Sequence, residues 1–188
     1  MDIQVEPVVQ KANANRKTFA TFCRSLSPDE LRAVIPESTW TVKDYLAHLA
    51  SIDVWVGEWF EHLADGQRWR PSADDGGPFD IDVWNETRIQ ERRAATVPEL
   101  LDEAAGHRER LWAAVDRFTP KVLAGTFPFR GRTVTLLRYL ELWTAHDPAH
   151  TADTLRAIPE RASDAALREW LAAHSVLAAG LEQRPREG

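Results

Sequence analysis

Apolar residues recur every three or four positions along most of the chain, and the alternation of half-buried strands is nearly absent. Val8, Ala12, Phe19, Phe22 and Leu26 form one stripe, interrupted by Asn15, which predicts a first helix over about 6–26. Ser27-Pro28-Asp29-Glu30 reads as a cap with proline at the first helical position, so a short helical connector follows until Ile35-Pro36 stops it. Thr41 and Asp44 have the spacing of a capping box, with Trp40 just outside it, and a second helix starts there. Its stripe is Tyr45, Leu49, Ile52, Val56, Phe60 and Leu63, flanked by His48, Trp55 and Trp59, and Asp65-Gly66 ends it.

The stretch from Gly66 to Asp80 is dense in Pro, Gly and Asp and predicts a loop. Helical spacing resumes at Ile81 and Trp84, and Thr96-Val97-Pro98-Glu99 marks a fresh cap, so the third helix should kink or restart there before running through Leu101, Ala104, Leu111, Val115 and Phe118. Phe127 to Arg132 predicts a turn. A fourth helix is expected from near Thr133 to Ala157, with Leu136, Tyr139, Trp143, His146 and His150 on one stripe. A last helix, about 163–180, carries Leu167, Trp170, Leu171, His174, Leu177 and Leu181; its apolar face either closes the bundle or offers a homodimer contact. The pattern predicts an all-α fold, one antiparallel four-helix bundle with an added C-terminal helix, in a single domain with its core over about 8–157.

Composition narrows the function. A chain of 188 residues and 21.3 kDa is enough for one core. The net charge of −6 and pI near 5.5 provide no basic field for a phosphate backbone, which argues against nucleic acid as a partner. The single cysteine, Cys23, forms no internal disulfide, Met1 to Glu6 lacks the basic and apolar regions of a secretory signal, and no long apolar run is present, so a cytoplasmic protein without a membrane span is expected.

Three of the six histidines carry candidate chemistry. His146 and His150, four apart on a helix, can place two nitrogens on one metal, and His48 on the second helix can supply a third. Three histidines with one open position suit a catalytic zinc or nickel ion better than a closed structural one. Spacing alone favours an ordinary pair of packed histidines, since HxxxH on a helix is common, and Pro148 between them removes a backbone donor and crowds the carbonyl of Thr144, so the helix should kink or restart there.

Trp40-Thr41-Val42-Lys43-Asp44-Tyr45-Leu46-Ala47-His48-Leu49-Ala50 resembles the second-helix signature of the DinB/YfiT-like superfamily, in which a Trp, a capping hydroxyl and a mid-helix His recur. Ala145-His146-Asp147-Pro148-Ala149-His150 resembles its fourth-helix HxxxH, and Asp82-Val83-Trp84-Asn85-Glu86 resembles the third-helix start of the DfsB/ClbS-like members. The resemblance implies an up-down-down-up bundle and a divalent metal, commonly nickel or zinc, on His48, His146 and His150. Among such proteins are thiol-dependent S-transferases and isomerases using mycothiol or bacillithiol, and hydrolases that disarm reactive natural products.

An open three-histidine metal site lowers the pKa of a bound water or thiol, so either becomes a nucleophile. The expected function is transfer of a low-molecular-weight thiol to a small-molecule electrophile; the alternatives are a metal-dependent hydrolase and a non-catalytic bundle with a degenerate site. Glu86 and Asp147 are the candidate acid/base groups, with Asp44 a further carboxylate one turn before His48. Trp55, Trp84, Asn85 and Trp143 are candidates to line a substrate or cofactor cleft, although large aromatics at helical spacing are usually core. His62, His107 and His174 are not expected as ligands: His62 sits near a helix end, His107 among Arg108, Glu109 and Arg110 on a solvated face, and His174 on a packed stripe. Cys23 should be an inert packed thiol.

Overall fold

The computed structural model describes residues 4–67, 79–129 and 131–174. Within them the chain forms α1 (Glu6–Arg24), α2 (Pro28–Arg32), α3 (Val42–Ala64), α4 (Ile81–Glu91), α5 (Val97–Val115), α6 (Pro120–Leu123), a β1–β2 hairpin (Thr126–Phe129 and Arg132–Thr135), α7 (Leu136–Trp143), α8 (His146–Ala157), a 3-10 turn (Pro159–Ser163) and α9 (Ala165–Ala172). The fold is largely helical. No helix among the described residues is long and apolar enough to cross a membrane.

Local chemistry explains most starts. Ser27 with Glu30, Thr41 with Asp44 and Thr96 with Glu99 each close a reciprocal capping box, satisfying backbone donors that the first helical turn cannot pair. The third predicted helix does restart: α4 ends at Glu91 and α5 begins after the Thr96 cap. Of the loop expected over 66–80, residues 68–78 lie outside the described residues, as do Leu177 and Leu181 of the predicted last helix.

The fourth helix differs from expectation at both its start and its middle. Thr133 lies in a strand, not a helix: Thr126–Phe129 and Arg132–Thr135 pair antiparallel, Phe127 opposite Val134. Gly131, at φ 74°, supplies the left-handed residue of the turn, and the branched Thr133-Val134-Thr135 run favours extended backbone. Thr135 then caps α7 by accepting from the Arg138 N–H. The helix breaks again between Trp143 and His146. Pro148 consequently falls in the first turn of α8, where an intrahelical donor is not required, and the i, i+4 relation of His146 and His150 survives. The Thr144 carbonyl, which a residue other than proline at 148 could have served, accepts from the Asn15 side-chain amide at 2.7 Å.

The apolar interior is two clusters. One gathers Phe19, Phe22, Leu46, Leu49, Ile89, Leu100, Leu101, Leu155 and Leu167, and the other Val5, Val9, Val56, Phe60, Leu111, Val115, Leu136 and Leu140. The chain runs from the second cluster to the first along α1 and along α7 and α8, and the opposite way along α3 and α5. Where these helices pass between the clusters they bury polar side chains: Asn15 and Arg16, Ser51 and Asp53, Arg108, Asp147 and Thr151. Arg108 is thus 5% exposed, which corrects the expectation of a solvated face around it. Its guanidinium leaves water because Asp53 on α3 accepts from its Nε at 2.7 Å.

Candidate metal centre

The histidines singled out from the sequence converge. His48 lies almost two turns into α3, while His146 opens α8 and His150 stands one turn further on. The Nε2 atoms of His146 and His150 are 3.3 Å apart, and a nitrogen of each of the three lies within 4.8 Å of the others. His48 is buried, and His146 and His150 are half-buried. Aromatic rings set their orientation: Trp143 stacks on His146 at 4.4 Å between centroids, Tyr45 meets His150 edge-on at 4.7 Å, and Trp40 tilts against His48 at 5.5 Å.

Burial, with His150 adding to it, pushes His48 down to about 3, against the opposing effect of a hydrogen bond with Asn85. Burial and the neighbouring His150 and His48 likewise hold His146 well below the usual imidazole range. Both rings are therefore neutral at pH 7, with a lone pair to give. A tetrahedral ion with metal–nitrogen bonds of about 2.0–2.1 Å holds two ligands about 3.3–3.4 Å apart, the separation of the His146 and His150 nitrogens. An all-nitrogen set without thiolate or carboxylate suits zinc or nickel rather than calcium or magnesium. The residues present can coordinate a divalent metal.

Two neighbours escaped the sequence reading. Asp153 lies one turn beyond His150, its Oδ2 3.9 Å from His150 Nδ1, and it accepts a 3.3 Å hydrogen bond from the Tyr45 hydroxyl. Burial and then Asp153 raise the Tyr45 pKa, so the phenol stays a donor. The signal available was position: Asp153 is three residues from His150 on one helical face, and Tyr45 is three before His48.

The other candidates divide. Asn85 is buried beside His48. Glu86 is exposed on α4; its Oε2 accepts from Trp40 Nε1 at 3.0 Å and its other oxygen accepts from Gln90. Trp55 stacks on Phe79 at 5.8 Å and Trp84 lies under the Arg88 guanidinium at 5.6 Å, while Trp143 stacks on His146 and Asn85 hydrogen-bonds His48. His62 and His107 bond backbone carbonyls of Glu58 and Ala50, and His174 that of Trp170.

Asp147, the other acid/base candidate, lies in a buried ion-pair network. Its carboxylate faces Arg16, which donates from Nε and Nη2 at 2.8 and 2.9 Å, with Arg108 Nη2 at 3.7 Å. Burial works against its charge, but Arg16 and Arg108 outweigh that and hold its pKa below the usual carboxylate range. A carboxylate so engaged neutralises buried cations. Sequence reading passed over Arg16 and Asp53, which gave no signal beyond being polar on apolar stripes.

The DinB superfamily profile matches residues 12–153, which span all three histidines and the four helices that carry the buried charges, and the chain belongs to that superfamily. No curated protein matches the chain.

Proposed function

We propose that this protein is a divalent-metal enzyme of the DinB superfamily, built on a four-helix bundle of α1, α3, α5 and α7–α8, that transfers a low-molecular-weight thiol to a small electrophile. The carrying observation is the cluster itself: three imidazole nitrogens within 4.8 Å of one another, two of the rings only half-buried. Zinc or nickel held by His48, His146 and His150 supplies a Lewis acid that favours ionisation of a thiol at neutral pH. Cys23 is the chain's one cysteine, is 1% exposed and has its pKa raised by burial and by Asp147, so the reacting sulfur comes from outside the protein.

The protein's own groups then have assignable work. In the transfer a carbon–sulfur bond forms, the electrophile's leaving group departs with its electron pair, and the thiol proton passes to a base. Glu86 is assigned as that base, an exposed carboxylate held by Trp40, which packs on His48. Trp143 and Tyr45 hold the His146 and His150 rings, and Trp55, Trp84 and Asn85 are assigned to the walls around the substrate.

The test is mixing zinc- or nickel-loaded protein with mycothiol or bacillithiol and chlorodinitrobenzene, following thioether and chloride release. Product that requires metal, thiol and His150 supports the reading. Thiol consumption no faster than with free metal overturns it, and thiol-independent cleavage of an activated ester would move the assignment to a hydrolase.

A further inference from the structure

Asn15 stands where the apolar stripe of α1 is broken, is 4% exposed, and uses both ends of its amide. Its Nδ2 donates to the Thr144 carbonyl at 2.7 Å and its Oδ1 accepts from Trp170 Nε1 on α9 at 3.0 Å. An indole N–H can only donate and a carbonyl can only accept, so the amide has one orientation compatible with both partners. The Thr144 carbonyl is itself buried, in the two-residue link where α7 ends and α8 begins. Pro148 has no N–H to offer it. The residue before it, Trp143, stacks on His146, and the residue after His146, Asp147, is held by Arg16, the neighbour of Asn15. Two successive side chains of α1 therefore hold the chain on either side of the first metal-ligand candidate of α8, Asn15 through the Thr144 carbonyl and Arg16 through the Asp147 carboxylate.

We infer that Asn15 is a positioning residue for His146, acting through the Thr144 carbonyl that Pro148 leaves without a backbone donor. The inference rests on the reading of His48, His146 and His150 as metal ligands. Asn15 directs where α8 begins, and with it the approach of the His146 ring to those of His48 and His150. Trp170 bears on the other end of the amide, donating to Asn15 Oδ1.

The test compares Asn15→Leu, similar in size but unable to donate, with Trp170→Phe, which removes only the donor to Oδ1. Metal-free protein is titrated with Co²⁺ and followed by its visible absorption, and imidazole ¹H–¹⁵N correlations are recorded before metal is added. Asn15→Leu should weaken Co²⁺ binding by about tenfold to a hundredfold and alter the cobalt spectrum, while Trp170→Phe stays within about twofold of the parent even where it lowers Tm. The His146 resonances should move in Asn15→Leu and those of His62 should not. If Asn15→Leu does not fold, Asn15→Asp replaces it, keeping the acceptor for Trp170 and withholding the donor from Thr144. Parental Co²⁺ affinity and spectrum in the Asn15 variant, or an equal loss in Trp170→Phe, overturns the inference. Should the parent itself take up no Co²⁺, the metal reading fails, and the His146 resonances alone decide the positioning: moved, it stands; unmoved, it falls.

Discussion

Arg16 and Asp147, 131 positions apart in the chain, face each other in a two-point ion pair, Nε to Oδ2 at 2.8 Å and Nη2 to Oδ1 at 2.9 Å. The pair ties α1 to α8 beside His146. Asp53 and Arg108 extend it, Asp53 Oδ2 lying 3.4 Å from Arg16 and 2.7 Å from Arg108, so α1, α3, α5 and α8 each contribute one charge and the four sum to zero. Burial opposes the charge on Arg16, but Asp147 and Asp53 prevail and its pKa is raised.

Removing one member leaves a buried charge uncompensated. Arg16→Met is expected to destabilise the protein by about 3–5 kcal/mol, as is Asp147→Asn, and the two together should cost less than the sum of the singles because neither orphan remains. Urea unfolding of the four forms checks this. Additive losses would mean that the two residues do not act as a pair.

The three imidazoles should act as one ligand set. Purified tag-free protein is expected to hold close to one equivalent of zinc or nickel, and His150→Ala to lose it while keeping its helical circular dichroism. Plasma mass spectrometry reads the metal directly; protein that stays metal-free after incubation with both ions would count against the site.

The metal-free protein should weaken in mild acid. His48, near 3 in the folded state, and His146, well below its usual range, take up protons in the unfolded chain first, near pH 6.5. Between those values the unfolded state binds more protons, so stability is fully present above about pH 6.5 and declines as pH falls toward about 3. Calorimetry on chelator-treated protein between about pH 7.5 and 5.5 should show a larger fall in Tm than the His48→Gln/His146→Gln double variant, whose replaced groups do not titrate. Equal slopes would remove the histidines as the cause.

Thr41 tests whether the start of α3 is a local matter. Its hydroxyl accepts from the Asp44 N–H, and Asp44 Oδ2 accepts from the Thr41 N–H at 2.8 Å. Thr41→Ala should cost about 1 kcal/mol of stability. Co²⁺ affinity should not change, because His48 sits almost two turns into the helix.

Sequence by itself determined whatever depends on neighbours along the chain. Apolar spacing and capping residues located α1, α3 and the α4–α5 restart, and the i, i+4 spacing placed His146 and His150 on one face, since both follow from the pitch of a helix. His48 stood out as a candidate third ligand on another helix, and the resemblance joined it to them. Tertiary structure alone decided the rest. Asn15, Arg16, Asp53 and Arg108 read as interruptions of apolar stripes or as surface charges, because a polar residue at a core position is explained only by the partner that reaches it, and those partners come from other helices. The hairpin around Gly131 was hidden in segments of four residues, too short for a period to show. Whether Pro148 would ruin or spare the histidine pair turned on where α8 begins and on who serves the Thr144 carbonyl, and a side chain on α1 answers the second question.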